Sequence, residues 1–235
     1  MTSAARLSAE LCTLASPELA VLQQRFFKTG VGQYGEGDVF LGIKVPPLRA
    51  LAKQHRDAEL DTITTLLHSK YHEERLFALL LLMQFYERAT ENERVAAFDL
   101  YLDNTAHINN WDLVDVSSPH IVGRHLASRP RKVLHRMARS SSLWERRIAI
   151  ISTLYFIRNN DFEDTLRIAE TLLHDEQDLM HKAVGWMLRE VGKRDLESEE
   201  TFLLLHYHDM PRTMLRYAIE RFPERRRQQY LKGTA

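Results

Sequence analysis

The sequence predicts an all-α fold, an α-solenoid of stacked antiparallel helix pairs. Three observations predict it. Leu, Ala, Arg and Glu dominate and all favour helix, while nine Gly and seven Pro punctuate 235 residues. No segment joins period-two apolar alternation to β-branched enrichment, the mark of a half-buried strand. The helical segments also recur at a regular spacing.

In chain order, apolar spacing predicts helices over 17–28, carrying Leu19, Leu22, Phe26 and Phe27, over 47–55 with Leu48 and Leu51, and over 60–68. The run 38–45 (DVFLGIKV) is the one strand-like stretch. It lies between Gly30, Gly32, Gly35 and Gly37 on one side and Pro46-Pro47 on the other. It therefore reads as an irregular connector into a helix whose first turn holds the prolines. Segment 73–87 is apolar on most faces, as a buried central helix would be. Further helices are expected over 91–102, 111–126, 130–139, 144–157, 162–173, 180–193, 198–206 and 211–222.

One class of helix, richer in aromatic and basic residues, begins near Tyr71, Ile108, Leu143, Asp178 and Met210, at offsets of 37, 35, 35 and 32. Arg75, Arg146 with Arg147, Lys182 and Arg216 recur near these starts, and Ala78, Ala149, Ala183 and Ala218 follow close behind. A two-helix period of this length is the signature of a solenoid of HEAT or armadillo type, in which small residues let helices approach closely. A globular helical bundle with coincidental spacing is the competing reading. Stacked pairs curve, so binding or chemistry belongs on the inner helices. One domain is expected over 1–235, with 1–16 and 224–235 as loose termini.

Composition excludes several function classes. With 44% hydrophobic and 27% charged residues, the chain is an ordinary soluble protein able to bury a core. The longest apolar run, 77–85, is far too short to span a bilayer, and the N-terminus (MTSAARLSAELCTLAS) lacks a signal-peptide core, so a cytoplasmic location is expected. The single Cys12 excludes an intrachain disulfide framework and a thiolate zinc cluster. His68 and His72 are spaced i, i+4, but the run between them lacks the Glu of a zinc-protease helix; His206 and His208 flank Tyr207 with no third ligand in sight. Structural or surface roles suit these histidines. No Walker-type or Rossmann glycine pattern occurs, and neither a metal nor a cofactor is expected.

Charge is local. Lys+Arg and Asp+Glu are 32 each, yet 124–147 holds eight basic residues and one acid, and 212–235 holds seven and two. Arginine dominates both blocks, which suits bidentate phosphate contacts. A basic concave strip would cradle a duplex, whereas the plain reading is a solvated helix surface.

Trp111 and Asp115, in NNWDLVDVSSPH, are spaced i, i+4 and share a helical face, while Asp112 faces elsewhere. Trp186 lies in HKAVGWMLRE with Gly185 beside it and Arg189 three residues on; Arg147 lies in LWERRIAI. Indole faces flanking a carboxylate suit a cationic centre such as the oxocarbenium-like sugar of glycosidic cleavage. Core packing is the usual role of a tryptophan, and a salt bridge the usual role of a helix acid.

The runs FLGIKVPPLRALAK, WDLVD, LWERRIAI and KAVGWMLRE, in this order and within residues 17 to 222, resemble the AlkD-like DNA alkylation repair family, glycosylases built of HEAT-like repeats. The resemblance implies a C-shaped basic cradle that excises cationic alkylated purines, N3-methyladenine and N7-methylguanine, from double-stranded DNA. It implies that Asp115 is the catalytic carboxylate, that Trp111 and Trp186 contact the lesion sugar, and that Arg147 contacts a phosphate. Phe26, in QRFFK, stands where the family can have Tyr, so a ring could stack on DNA without a hydroxyl contact. Arg146, Arg189, Lys182, Lys44 and Arg49 are further candidate DNA contacts. The family route uses no tight base pocket. No Lys near Asp115 in sequence suggests a lyase step. The alternative is a non-catalytic HEAT-type module that binds nucleic acid or a protein. A solenoid with a polar exterior suits a monomer.

Overall fold

A computed structural model describes residues 3–235. These residues form two compact units, one ending at Ser117 and the other beginning at Ser118. The first holds α1 (Ala4–Cys12), α2 (Pro17–Phe26), α3 (Val45–Gln54), α4 (Leu60–Leu67), α5 (His72–Arg88), α6 (Glu91–Asp103), a 3₁₀ turn (Thr105–His107) and α7 (Trp111–Ser117). The second opens with a π-helical turn (Pro119–Gly123) and continues through α8 (Arg124–Leu126), α9 (Lys132–Met137), α10 (Leu143–Ser152), α11 (Leu154–Arg158) and α12 (Glu163–Thr171). It ends with α13 (Asp178–Gly192), α14 (Leu196–His206), α15 (Arg212–Ala218), a 3₁₀ turn (Ile219–Arg221) and α16 (Glu224–Lys232). No strand occurs among the described residues; a single bridge joins Val39 to Tyr71. The all-α expectation holds.

The repeat register predicted from sequence matches the helices. Those expected near Tyr71, Ile108, Leu143, Asp178 and Met210 are α5, α7, α10, α13 and α15. In the second unit α10 packs on α13 and α13 on α15, while α9 and α12 pack on α10, and α12 and α14 on α13. This layering, each inner helix touching the next, is consistent with an α-solenoid. Glycine permits the closest approach: a Cβ on Gly185 of α13 would meet the Met214 carbonyl of α15 at 2.4 Å.

The recurring basic residue has a structural task. Arg75 Nη1 donates to the Ser69 carbonyl at 3.1 Å, and Arg146 Nη1 to the Ser140 carbonyl at 3.0 Å, each six residues back across the loop entering its helix. His181 does the same to the Asp175 carbonyl. Each ties down a loop carbonyl just before the inner helix begins.

Three expectations change. The helix expected over 111–126 ends as α at Ser117, because Pro119 has no N–H to continue the ladder; a π turn follows, with Gly123 N–H bonding the Ser118 carbonyl at 2.9 Å. A Cβ on Gly123 would lie 2.2 Å from the Ser152 carbonyl, so this turn packs backbone against α10. The helix over 144–157 divides at Thr153, whose hydroxyl donates to the Ile150 carbonyl at 2.6 Å. The termini expected to be loose carry helices. In α1, capped by Ser3, Leu7 and Leu11 are fully buried at i, i+4 spacing, and in α16 Tyr230 is 1% exposed.

The connector over 38–45 is irregular, as expected, and an acid holds it. Glu73, buried at the start of α5, accepts N–H bonds from Leu41 (2.8 Å), Gly42 (2.8 Å) and Ile43 (3.1 Å). Gly42 has φ +81°, and a Cβ there would lie 1.9 Å from the Ser16 carbonyl, so only glycine fits.

Candidate catalytic site

In the first unit, α7 presents Trp111 and Asp115 one turn apart, both half-buried. Leu113 and Ser117, on the opposite side of the helix, are fully buried and turn that side into the core. The carboxylate of Asp115 is felt inside that core. Tyr101 is fully buried and its hydroxyl meets Ser117 Oγ at 2.9 Å. Burial pushes the Tyr101 phenol well above its ordinary range; the Ser117 bond opposes this and the nearby charge of Asp115 adds to it.

Trp111 sits on an aromatic stack. Its ring lies 5.5 Å from Phe27 at 23° and 6.0 Å from Phe26 at 67°. Phe26 is 65% exposed at the end of α2, so an aromatic surface rises beside Trp111. Beneath it, Phe27 stacks on Phe40 (5.1 Å) and lies 5.0 Å from the His72 ring. Such pairs add about 0.5–1.5 kcal/mol each beyond area burial. Lys44, just before α3, and Arg49 within it are exposed cations of the same unit.

Below the stack lies a buried ionic network. His72 Nδ1 faces Asp38 Oδ2 at 3.1 Å and Nε2 faces Asp112 Oδ2 at 2.8 Å. Arg75 Nη2 donates to Asp38 Oδ1, and Asn110 Nδ2 to Asp38 Oδ2 at 3.1 Å. Asn110 Oδ1 in turn accepts the Trp111 N–H at 2.9 Å, fixing the first residue of α7. Burial disfavours the charged form of His72, but the bonds and charges of Asp112 and Asp38 outweigh it and raise its pKa to about 9. Burial likewise opposes ionisation of Asp38, yet His72, Arg75 and Asn110 hold its carboxyl below the usual range. Sequence gives Asp112 as facing away from Trp111 and Asp115, and it does. Its partner His72 lies 40 residues away, and no local spacing signals the pair. Among the described residues no group of three or more His, Cys, Asp or Glu is arranged to hold a metal ion.

In the second unit, α13 carries Trp186, half-buried, its Nε1 donating to Glu190 Oε1 at 3.0 Å. Three of the basic candidates here have acidic partners. Arg146 Nε bonds Asp175 at 2.6 Å and its Nη1 also reaches the Ser140 and Ser141 carbonyls. Arg189 pairs with Glu220, and Lys182 with Asp178 at 2.6 Å. Arg147 is 5% exposed, with Nη1 donating to the Leu179 carbonyl at 2.7 Å. The basic run 124–147 is thus in part inward-looking: Arg131 also bonds both Asp161 and Asp164, at 2.7 and 2.8 Å. Arginine-rich composition does not reveal this, because the acids lie about 30 residues further on.

No helix is long and apolar enough to cross a membrane among the described residues. No curated protein matches the chain closely enough to be counted a relative. The fold is similar to that of a solved structure described as a predicted DNA alkylation repair enzyme from Enterococcus faecalis, with a TM-score of 0.69 and 19% identity. The match covers 89% of this chain and 97% of that one. Residues 7–222, which include α2, α7, α10 and α13, match the model of a family described as DNA alkylation repair enzyme. With nearly its whole length matched, and with the half-buried carboxylate and tryptophan of α7 inside the match, the chain belongs to the DNA alkylation repair enzyme family.

Proposed function

We propose that this chain is a monofunctional DNA glycosylase of the AlkD-like kind, removing N3-methyladenine and N7-methylguanine from duplex DNA. The observation that carries the reading is the pair Trp111 and Asp115 on one face of α7, an indole and a carboxylate one turn apart and both half-buried, in a chain of a DNA alkylation repair family.

The chemistry asks little of the protein. A purine alkylated at N3 or N7 carries positive charge and is a good leaving group without an added proton. As the C1′–N bond breaks, its electron pair neutralises the purine and the sugar becomes cationic. Asp115 stabilises that cation and orients a water, which adds to C1′ and yields its proton to the carboxylate or to solvent. Trp111 and Trp186 offer ring faces to the sugar cation. Phe26 stacks on DNA, and Lys44, Arg49, Arg147 and Lys182 approach the backbone phosphates. Arg146 and Arg189, engaged with Asp175 and Glu220, serve the fold instead. No tight base pocket and no Schiff-base lysine are required, and the chain acts as a monomer.

The competing reading, a module that binds a protein without excision, draws on the inward engagement of Arg146 and Arg189, which withdraws two cations from phosphate contact. Base release from duplexes carrying either a cationic or a neutral lesion separates the two. Release of N7-methylguanine without appreciable release of hypoxanthine is expected. Comparable rates for hypoxanthine would contradict the mechanism, because no acid is assigned to activate a neutral base.

A further inference from the structure

We infer that His72 is a positioning residue for Trp111 and Asp115, holding the first turn of α7 through both of its ring N–H groups. The inference rests on the glycosylase reading only for what those two residues are positioned to do.

The geometry fixes the state of the ring. Both nitrogens face carboxylate oxygens, at 3.1 Å (Asp38) and 2.8 Å (Asp112), and an ionised carboxylate can only accept. Both nitrogens must therefore carry hydrogen. The charges balance: Asp38 and Asp112 against His72 and Arg75. From the connector, Asp38 is the charged group that faces the ring; from α7 it is Asp112; from its own helix, Arg75 shares Asp38. Glu73 is turned to the amides of 41–43, and the rings of His68 and His107, tilted at 4.3 Å, lie near Arg75; burial, then the charges of His68 and Arg75, lower the His107 pKa. From α2 and the connector, Phe27 and Phe40 cover the ring at 5.0 and 4.5 Å.

Two paths run from this hub to the site. One is ionic: His72 to Asp112, and Arg75 through Asp38 and Asn110 to the Trp111 N–H. The other is aromatic: the same Phe27 ring that packs on His72 packs on Trp111. Loss of one ring proton points a nitrogen lone pair at a carboxylate and releases one path. Loss at Nε2 frees Asp112 while Asn110 stays held through Asp38 and Arg75, so the first turn of α7 keeps an anchor on one side only and Asp115 moves with it. The pKa of about 9 places this release on the alkaline side of neutrality.

The test uses full-length protein labelled with 5-fluorotryptophan and followed by fluorine NMR from pH 6 to 10.5, with the Trp111 resonance assigned by its loss in Trp111→Phe. The Trp111 resonance should shift with a midpoint near 9. His72→Phe, which keeps a ring against Phe27 and Phe40, should abolish that midpoint, and Asp112→Asn should lower it. A Trp111 resonance that does not titrate in the wild type, or one with the same midpoint in His72→Phe, overturns the inference. If His72→Phe does not fold, the wild-type titration and Asp112→Asn still decide. For base release, His72→Gln should lower kcat on the order of 100-fold with KM little changed, and the alkaline limb of wild-type kcat should share the fluorine midpoint. No base release at any pH together with an intact Trp111 titration would overturn the glycosylase reading and leave the positioning role standing.

Discussion

His72 Nε2 donates to Asp112 Oδ2 at 2.8 Å, joining the start of α5 to the first turn of α7 in the core of the first unit. Because its partners raise the His72 pKa to about 9, the native state holds a proton that the unfolded chain releases near 6.5. That contribution is complete below about 6.5 and disappears as pH rises through about 9. Asp38, held below its usual range, acts in the opposite sense: its contribution is present above about 3.8 and is lost as pH falls further. Urea unfolding across pH 5 to 10 should show stability declining on the alkaline side, with a smaller decline in His72→Phe. An undiminished decline in that variant would contradict the assignment.

Glu199 adds a second alkaline term, from the other unit. It is 2% exposed beside Gly192, and its Oε1 has no hydrogen-bond partner. Burial, aided by Glu200 and opposed by Arg189, raises its pKa to about 8. Its contribution is therefore present below about 4.5 and lost as pH rises through about 8. Glu199→Gln should be close to neutral below about pH 4.5, where the carboxyl is protonated in both states, and should raise Tm at pH 9. A variant less stable than wild type at pH 9 would show that the ionised carboxylate is satisfied.

The Glu73–Gly42 arrangement predicts two severe losses. Gly42→Ala must adopt a left-handed backbone, costing about 1–3 kcal/mol, and must also displace the Ser16 carbonyl, 1.9 Å from the new Cβ. Glu73→Gln removes the charge from three N–H bonds, for a loss of about 1.5–3 kcal/mol. Thermal unfolding checks both, and a Tm within a degree of wild type for either would contradict the account of the connector.

Arg146→Ala should lower Tm while leaving the salt dependence of duplex binding unchanged, since its donors go to Asp175 and two carbonyls. A phosphate contact at this position would instead reduce the slope of log K against log salt by about 1.

Much of the fold was legible because helices announce themselves locally. The i, i+4 spacing of Trp111 and Asp115 and the 35-residue recurrence of Arg75, Arg146 and the α13 start need only nearby residues. What was not legible depends on distant partners. His72 looked like half of an i, i+4 histidine pair with His68; its partners are Asp38 and Asp112, 34 and 40 residues away. In sequence Arg146 reads as a phosphate contact, but its acidic partner is Asp175, 29 residues further on. The terminal helices carry a weak sequence signal because each buries so little: Leu7 and Leu11 in one, Tyr230 in the other. The break at Pro119 carried a local signal, a proline inside a periodic run, and the apolar pattern outweighed it.

The central claim is that Asp115 stabilises a sugar cation. The measurement that tests it most directly is single-turnover release of N7-methylguanine and N3-methyladenine from methylated duplex DNA by wild type and Asp115→Asn. The account predicts release by wild type and a loss of roughly 10²–10³ in rate for the variant, about 2.7–4 kcal/mol of transition-state stabilisation, with duplex affinity and Tm retained. Release by Asp115→Asn at the wild-type rate would contradict it.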